Sequence, residues 1–312
     1  MRMIAQLISI ICLATIMPRA GWACACGCGI FDVGTGTMIP TGKGGVVWFE
    51  YDRMNQNHNW RGTSSAPGID NEDKQIATDF FTLGVQYMFN RKWGVQAQLP
   101  YWNRDFRTTT DTPNPGDVGS FKHADIGDLR IKGVFSGFSE DMSSGVTFGL
   151  KLATGNYTYQ NFDRDTSIGT GSTDILLGGY HMGNLTKRTS RLPLHWYVNG
   201  QWDRAVSTQM GYRPGDEFDG ALGSYYEGIH VGKSGTLSPL LQLIAAVRAH
   251  DTGVNSDPDN SGYKRLLISP GLEYDVRRWR FYGDIEVPVY QNMTGNQLIA
   301  PVAYKFVVAY KF

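Results

Sequence analysis

Three features of the sequence predict an all-β chain: a transmembrane antiparallel β-barrel of about twelve strands, preceded by a cleaved signal peptide. From position 45 onward, segments of about ten residues alternate apolar and polar side chains, the period-two signature of strands. Going down the chain, the connectors between these segments alternate long and short. The last segment carries Tyr304, Phe306, Val308, Tyr310 and Phe312 on one face. Ala303, Lys305, Val307, Ala309 and Lys311 lie on the other, and the segment ends on an aromatic residue.

Composition removes several alternatives. Lys plus Arg and Asp plus Glu are 29 each in 312 residues, so no excess of positive charge exists to hold a nucleic acid. The 16 Tyr, 15 Phe and 8 Trp argue against a disordered chain, which would be poor in aromatics. Beyond the N-terminus no run of about 18 apolar residues exists to form a membrane helix.

The N-terminus reads as an export signal. Arg2 supplies the positive start, Ile4 to Met17 is largely apolar, and small residues surround Ala23. Residues 1–23 are assigned to the signal peptide, which removes two Arg and no acid and leaves a net charge of −2. Residues 24–44 are expected to form a Cys- and Gly-rich periplasmic segment or plug, and 45–312 the barrel. Cys24, Cys26 and Cys28 stand at or just after the cleavage site. An odd number of closely spaced thiols fits a soft metal such as Cu(I), a disulfide or thiol feature of a tail, or an outward bridge. No His follows a Cys-x-x-Cys, so covalent haem is excluded.

The strands follow in order. Val47, Phe49 and Tyr51 open the series, then Phe81 to Phe89, Trp93 to Tyr101 and Leu129 to Phe135. Val146 to Leu152, Ile175 to Gly179, Leu194 to Trp202 and a weaker Tyr225 to Val231 come next. Leu241 to Val247, Leu266 to Tyr274, Phe281 to Val287 and the final run complete it. The connectors 54–74, 108–123, 156–171, 207–219 and 250–262 are long and rich in turn residues. Those at 90–92, 136–143, 232–238 and 275–278 are short, and 184–193 is intermediate. Long external loops and short periplasmic turns are what an outer-membrane barrel shows. Trp93, Tyr101, Trp279, Phe281, Tyr304 and Phe312 end the apolar faces, as interfacial aromatic girdles do. The outward face is therefore expected to be apolar and the lumen charged. The final strand and Phe312 are expected to be read by the barrel assembly machinery.

Three short motifs add a family resemblance. Gly127-Asp128-Leu129, Lys151-Leu152-Ala153-Thr154-Gly155 and Gly169-Thr170-Gly171-Ser172-Thr173-Asp174 resemble the signature of the meta-pathway phenol-degradation-like barrel family, described as outer-membrane transporters. Ala153 stands where that family usually has Pro. The segment Cys24 to Thr35 and Ser269-Pro270-Gly271-Leu272-Glu273 are similar to a subgroup with an N-terminal Cys-x-Cys-x-Cys. The resemblance implies a barrel architecture and a transport role and leaves the solute open.

The residues expected to line the lumen are Asp128, Arg130, Lys132, Lys151, Arg280, Asp284 and Glu286, with Asp174, Glu50 and Asp52 on the same side of their strands. They could select solutes or pair with one another and fill a narrow barrel. The favoured function is an outer-membrane porin or transporter for small solutes, with lipid and solute as its partners and no cofactor beyond a metal at the cysteines. The alternative is a sheath or anchor for a periplasmic metal or redox partner through Cys24, Cys26 and Cys28. A lipid hydrolase ranks below both. His58, His123, His181, His195, His230 and His250 are dispersed, with no Gly-x-Ser-x-Gly elbow and no His-x-x-x-His pair. The acidic stretch 251–260 has Ca²⁺-ligand chemistry but reads first as a polar loop, and Trp60 and Tyr159 are loop aromatics that could meet an apolar solute.

Overall fold

The computed structural model describes residues 40, 42–110, 114, 116–186 and 192–312. The expected signal peptide and Cys24, Cys26 and Cys28 lie outside the described residues. Among the described residues sixteen strands form one sheet that closes into a barrel of twelve staves.

β1 (Gly44–Gln56) pairs with β4 (Asp73–Met88), which pairs with β5 (Trp93–Thr110). The next stave is broken in two. β6 (Asp117–Ile126) pairs with the outer part of β5 and β7 (Leu129–Phe135) with its inner part. β8 (Ser144–Leu152), β9 (Ser172–Asn184) and β10 (Leu194–Thr208) follow. β11 (Glu217–Tyr226) and β12 (Ile229–Val231) share one stave against β13 (Gly235–Arg248). β14 (Tyr263–Val276), β15 (Trp279–Ile299) and β16 (Ala303–Lys311) return to β1. The seam is sealed at its inner edge by reciprocal backbone hydrogen bonds of 2.9 Å between Gly45 and Phe312. The short β2 (His58–Gly62) and β3 (Ser64–Ser65) lie in the first outer loop, where β2 pairs with the outer part of β15.

The side-chain alternation resolves the two faces as expected. Leu83, Val85, Leu99, Ile131, Phe148, Leu150, Leu177, Leu222, Leu243 and Ile285 are exposed, and their strand neighbours Gln86, Gln98, Lys132, Lys151, Gln242 and Asp284 are buried. Apolar outside and polar inside inverts a soluble barrel, and it is stable only where hydrocarbon replaces water around the wall. Trp93, Trp279, Tyr304 and Phe312 are exposed at strand ends, while Tyr101, expected to end its apolar face, is exposed midway along β5 because that strand continues to Thr110. Closing the sheet leaves every stave with hydrogen-bonding neighbours on both sides, which the bilayer interior requires.

Three boundaries differ from the sequence reading. The expected long connector 108–123 is mostly strand: β5 runs to Thr110 and β6 starts at Asp117. Similarly, β10 runs to Thr208 and β11 starts at Glu217, which shortens the connector expected at 207–219. β15 does not stop near Val287 but extends to Ile299. These additions stand on the side of the long loops, beyond the apolar belt. Strands there need no lipid-facing alternation, so the pattern that marks a membrane strand is absent.

Candidate functional site

The interior is stratified. Toward the outer end apolar clusters predominate, interrupted by the buried Arg104, Thr78 and Gln56. Ile76, Phe106 and Leu298 pack together with Phe162, and Met54, Phe80 and Ala300 with Trp102. On the far wall Ala221, Ile244, Ala246, Tyr263, Leu267, Met293 and Ile299 pack with Trp60. Phe162, Trp60, Leu298 and Ile299 come from outer connectors or strand extensions, so the mouth is covered by chain folded inward. The lumen is thus not charged along its whole length, as the face pattern alone had suggested. Trp60 fills the mouth rather than standing free in a loop.

Deeper in lies a polar belt. On one wall Lys305 stands 3.6 Å from Glu50 and from Asp52. Asp284 Oδ2 accepts hydrogen bonds from Ser269, Tyr282 and Gln242 Nε2, the last at 3.1 Å. Tyr197 of β10 donates to Gln242 of β13, so the belt reaches across the β11 stave between them. On the opposite wall Lys151 pairs with Asp174 and lies 3.6 Å from Asp203. Lys132 donates to Gln201, three staves away, over 3.0 Å. Arg280 sits near the inner end and grips Asp275 with Nε and Nη2 at 2.7 Å each.

Among the expected lumen residues, Asp128, Lys132, Lys151, Asp284 and Glu286 are buried inside the barrel, while Arg130 and Arg280 are partly buried on the same face. They do not form one site. Asp284 and Glu286 belong to the belt with Lys305, Lys132 and Lys151 to the opposite wall, and Arg280 to the inner end. The sequence reading left out Lys305, Gln242, Tyr282 and Tyr197, which connect the belt. Lys305 carried a legible signal, because it alternates with Tyr304 and Phe306 in the final run. Gln and Tyr have no residue-type signature that separates a lumen from a loop.

Asp128 has a separate task. It follows Gly127 at the break between β6 and β7, where the stave lets go of β8. Its Oδ1 accepts a hydrogen bond from the Gly155 amide at 2.9 Å. Its Oδ2 accepts from the Thr170 amide at 2.8 Å and from Thr170 Oγ1 at 2.6 Å. Thr154 Oγ1 donates to the Gly127 carbonyl and accepts from the Leu129 amide. Both legs of the connector 153–171 are therefore tied at one neck. There the legs cross closely: a Cβ on Gly169 would lie 2.2 Å from the Gly155 carbonyl oxygen, and one on Gly155 2.8 Å from the Gly169 Cα. Only glycine fits such a crossing. The three motifs separated in sequence thus converge on this neck.

Beyond the neck the connector turns into the lumen. Thr166, Ser167 and Ile168 are buried. Arg104 of β5, fully buried, donates to Thr78 at 3.0 Å and to the Thr166 carbonyl. Phe162 packs edge-on against Phe106 at 5.6 Å, and Tyr159 stacks on His123 at 4.5 Å while donating to Asp125. Arg164 lies between Tyr157 and Tyr212, 4.8 and 4.6 Å from their ring centres. Burial and the nearby Glu72 push the Asp163 carboxyl up to about 6, and burial with Asp163 and Asp165 holds Asp73 at the rim well above the usual carboxylate range.

Other candidates resolve differently. Asp251 is buried and holds Tyr212, the Gly215 amide and Arg248, so it braces the outer loops. Asp257 accepts from Asn260. Among the described residues no group of three or more His, Cys, Asp or Glu is arranged to hold a metal ion. Ser144 and His181 do meet, at 2.7 Å, but on the lipid-facing side of the wall, where His181 alternates with Leu177 and Ile175.

No family model matches the chain, and no curated protein is similar to it. Solved structures are similar in fold. An outer membrane channel from Pseudomonas putida F1 superposes with a TM-score of 0.61 at 11% identity, covering 91% of this chain and 100% of the other. The transport unit of the autotransporter AIDA-I from Escherichia coli gives a TM-score of 0.50 at 10% identity over 92% of this chain and 95% of the other. Identities this low speak for the fold alone. With the apolar outer wall, the closed seam and these likenesses, the chain is a twelve-stranded antiparallel β-barrel of the bacterial outer membrane.

Proposed function

We propose that the protein is a channel that passes small solutes across the outer membrane, with the inward connector 153–171 as its constriction. The observation that carries this reading is the neck at Asp128. A barrel needed only as a membrane anchor gains nothing from a connector turned into its lumen and tied at both legs by one carboxylate. Below the constriction the solute path runs between the Glu50, Asp52, Asp284, Glu286 and Lys305 wall and the Lys132, Lys151 and Arg130 wall. Charges on both walls favour polar solutes and make passage sensitive to their charge. The similar channel from Pseudomonas putida F1 shares the architecture and is consistent with this role. The final strand and Phe312 serve recognition by the assembly machinery in the same reading.

The test is single-channel recording of the mature protein in a planar bilayer. Discrete conductance steps are expected, with Lys132→Glu moving the reversal potential in a salt gradient toward cation preference. A folded barrel that never conducts, as wild type and with Asp128 replaced by Ala, would end the channel reading. Unchanged selectivity in both Lys132→Glu and Glu286→Gln would remove these side chains from the solute path.

A further inference from the structure

Near the inner end of the barrel, below the Tyr197–Gln242–Asp284 network, the wall lines a partly open cavity of about 180 Å³. That is room for about six waters at liquid density, or one small organic molecule. Its two halves differ in chemistry. Tyr197 of β10, Tyr225 of β11, Leu240 of β13 and Met182 of β9 give it an apolar and aromatic side. Glu227, Glu273 and Asp275 give it a carboxylate side, with Arg280 as the cation in the lining.

The charges do not balance. Arg280 is taken up by Asp275, through two hydrogen bonds of 2.7 Å, and by Glu273 at 3.3 Å. Lys311 of β16 lies within electrostatic range of the same carboxylates without lining the cavity or pairing with them directly. Three acids thus outnumber Arg280 and Lys311, and His195 beside Glu227 adds a third positive charge only when protonated. Glu227 is the carboxylate left to Lys311 and to His195, whose Nε2 lies 3.3 Å away. The His195 ring also stacks on Tyr225 at 4.9 Å, so one residue steadies both an aromatic face and a carboxylate. Tyrosine faces beside surplus negative charge attract a cation, and an apolar body suits the Leu240 and Met182 side.

We propose that this cavity is a binding station for a small organic cation, an alkylammonium with an apolar body. The inference rests on the channel reading, since it names the class of solute that the inner lumen holds. Glu227, with Lys311 and His195 as its neighbours, supplies the counter-charge. Tyr225 and Tyr197 supply the aromatic faces, Tyr197 joins the cavity to the network above it, and the bonded Asp275–Arg280 pair forms the wall toward the inner turn. An anion would meet more carboxylates than cations here, and a neutral solute would gain nothing from them.

The test is isothermal titration of the mature protein in detergent with choline as the probe. Its uncharged isostere 3,3-dimethylbutan-1-ol and the anion benzoate serve as controls. Choline is expected to bind, the isostere about tenfold or more weakly, and benzoate not at all. Glu227→Gln and Tyr225→Leu are each expected to weaken choline about fivefold to tenfold. Heat-modifiable gel migration confirms that each variant is a folded barrel. Equal binding of choline and its isostere, preferred binding of benzoate, no choline binding, or choline binding unchanged in both variants would overturn the proposal. Conductance of the same preparation separates the two readings. A conducting barrel that ignores choline removes this inference alone, and a barrel that binds choline but never conducts removes the channel alone.

Discussion

Asp128 illustrates how much one side chain can organise. Its carboxylate accepts three hydrogen bonds from the two legs of a connector, and it is buried where water cannot replace them. Hydrogen bonds to an ionised group contribute about 1.5–3 kcal/mol each, so truncation should loosen the connector by several kcal/mol. Asp128→Ala is expected to leave the barrel folded and to expose residues 153–171 to added protease. Unaltered cleavage kinetics would show that the neck holds without it. Gly169→Ala meets a different constraint. Its Cβ would be driven to 2.2 Å from the Gly155 carbonyl oxygen. The neck must part to admit it, and the same proteolysis assay should report cleavage as fast as in Asp128→Ala.

The connector 153–171 docks beside buried carboxylates, so its docking is expected to depend on pH. Asp163 has an ordinary carboxylate value of 3.8 and is pushed up to about 6 by burial and by Glu72. Asp73 shifts in the same direction. A raised value in the docked state means that docking favours the protonated form. The docked connector is therefore most stable below the ordinary value, and this contribution is lost as pH rises through about 6. Open events in bilayer recordings should be rarer at pH 5 than at pH 7, and Asp163→Asn should flatten that difference. The opposite trend, with more opening in acid, would contradict the placement of these carboxylates against the connector. The neighbouring element β6 shows why some strands escape pattern reading. Its outward residues include Val118, Ser120, Lys122, Ala124 and Ile126, a mixed set that faces water above the lipid.

For the whole molecule the decisive term is the apolar outer wall. Leu243 lies mid-strand on β13, exposed and flanked by Leu222 and Ile268 on the neighbouring staves. Leu243→Arg should destabilise the lipid-embedded barrel by about 2–4 kcal/mol, the cost of an Arg near the bilayer midplane. Denaturant titration of the protein refolded into lipid vesicles measures it. No measurable loss would place Leu243 outside the hydrocarbon. The interior responds by other rules. Lys305, Glu50 and Asp52 are buried together, so removal of Lys305 strands two carboxylates in a dry wall.

The sequence alone determined the strand period, the number of staves and the apolar face of each strand, whereas the sorting of connectors by length held only in part, because strand extends into the outer connectors at 108–123 and 207–219. All of these are local. Alternation over ten residues and clusters of turn residues act through nearest neighbours, and the bilayer selects strongly on them. It also showed that Lys132, Lys151, Asp284 and Glu286 share the inward face, because parity along a strand decides that. Only the tertiary structure decided which inward residues meet. Lys132 reaches Gln201 and Gln242 reaches Tyr282 because closure sets the stagger between staves, and stagger leaves no mark within any one strand. It also decided that the connector 153–171 turns inward. That direction follows from Asp128, Gly155 and Thr170 meeting at a neck, and contacts between residues 27 and 42 positions apart exist only once the β7, β8 and β9 staves have paired.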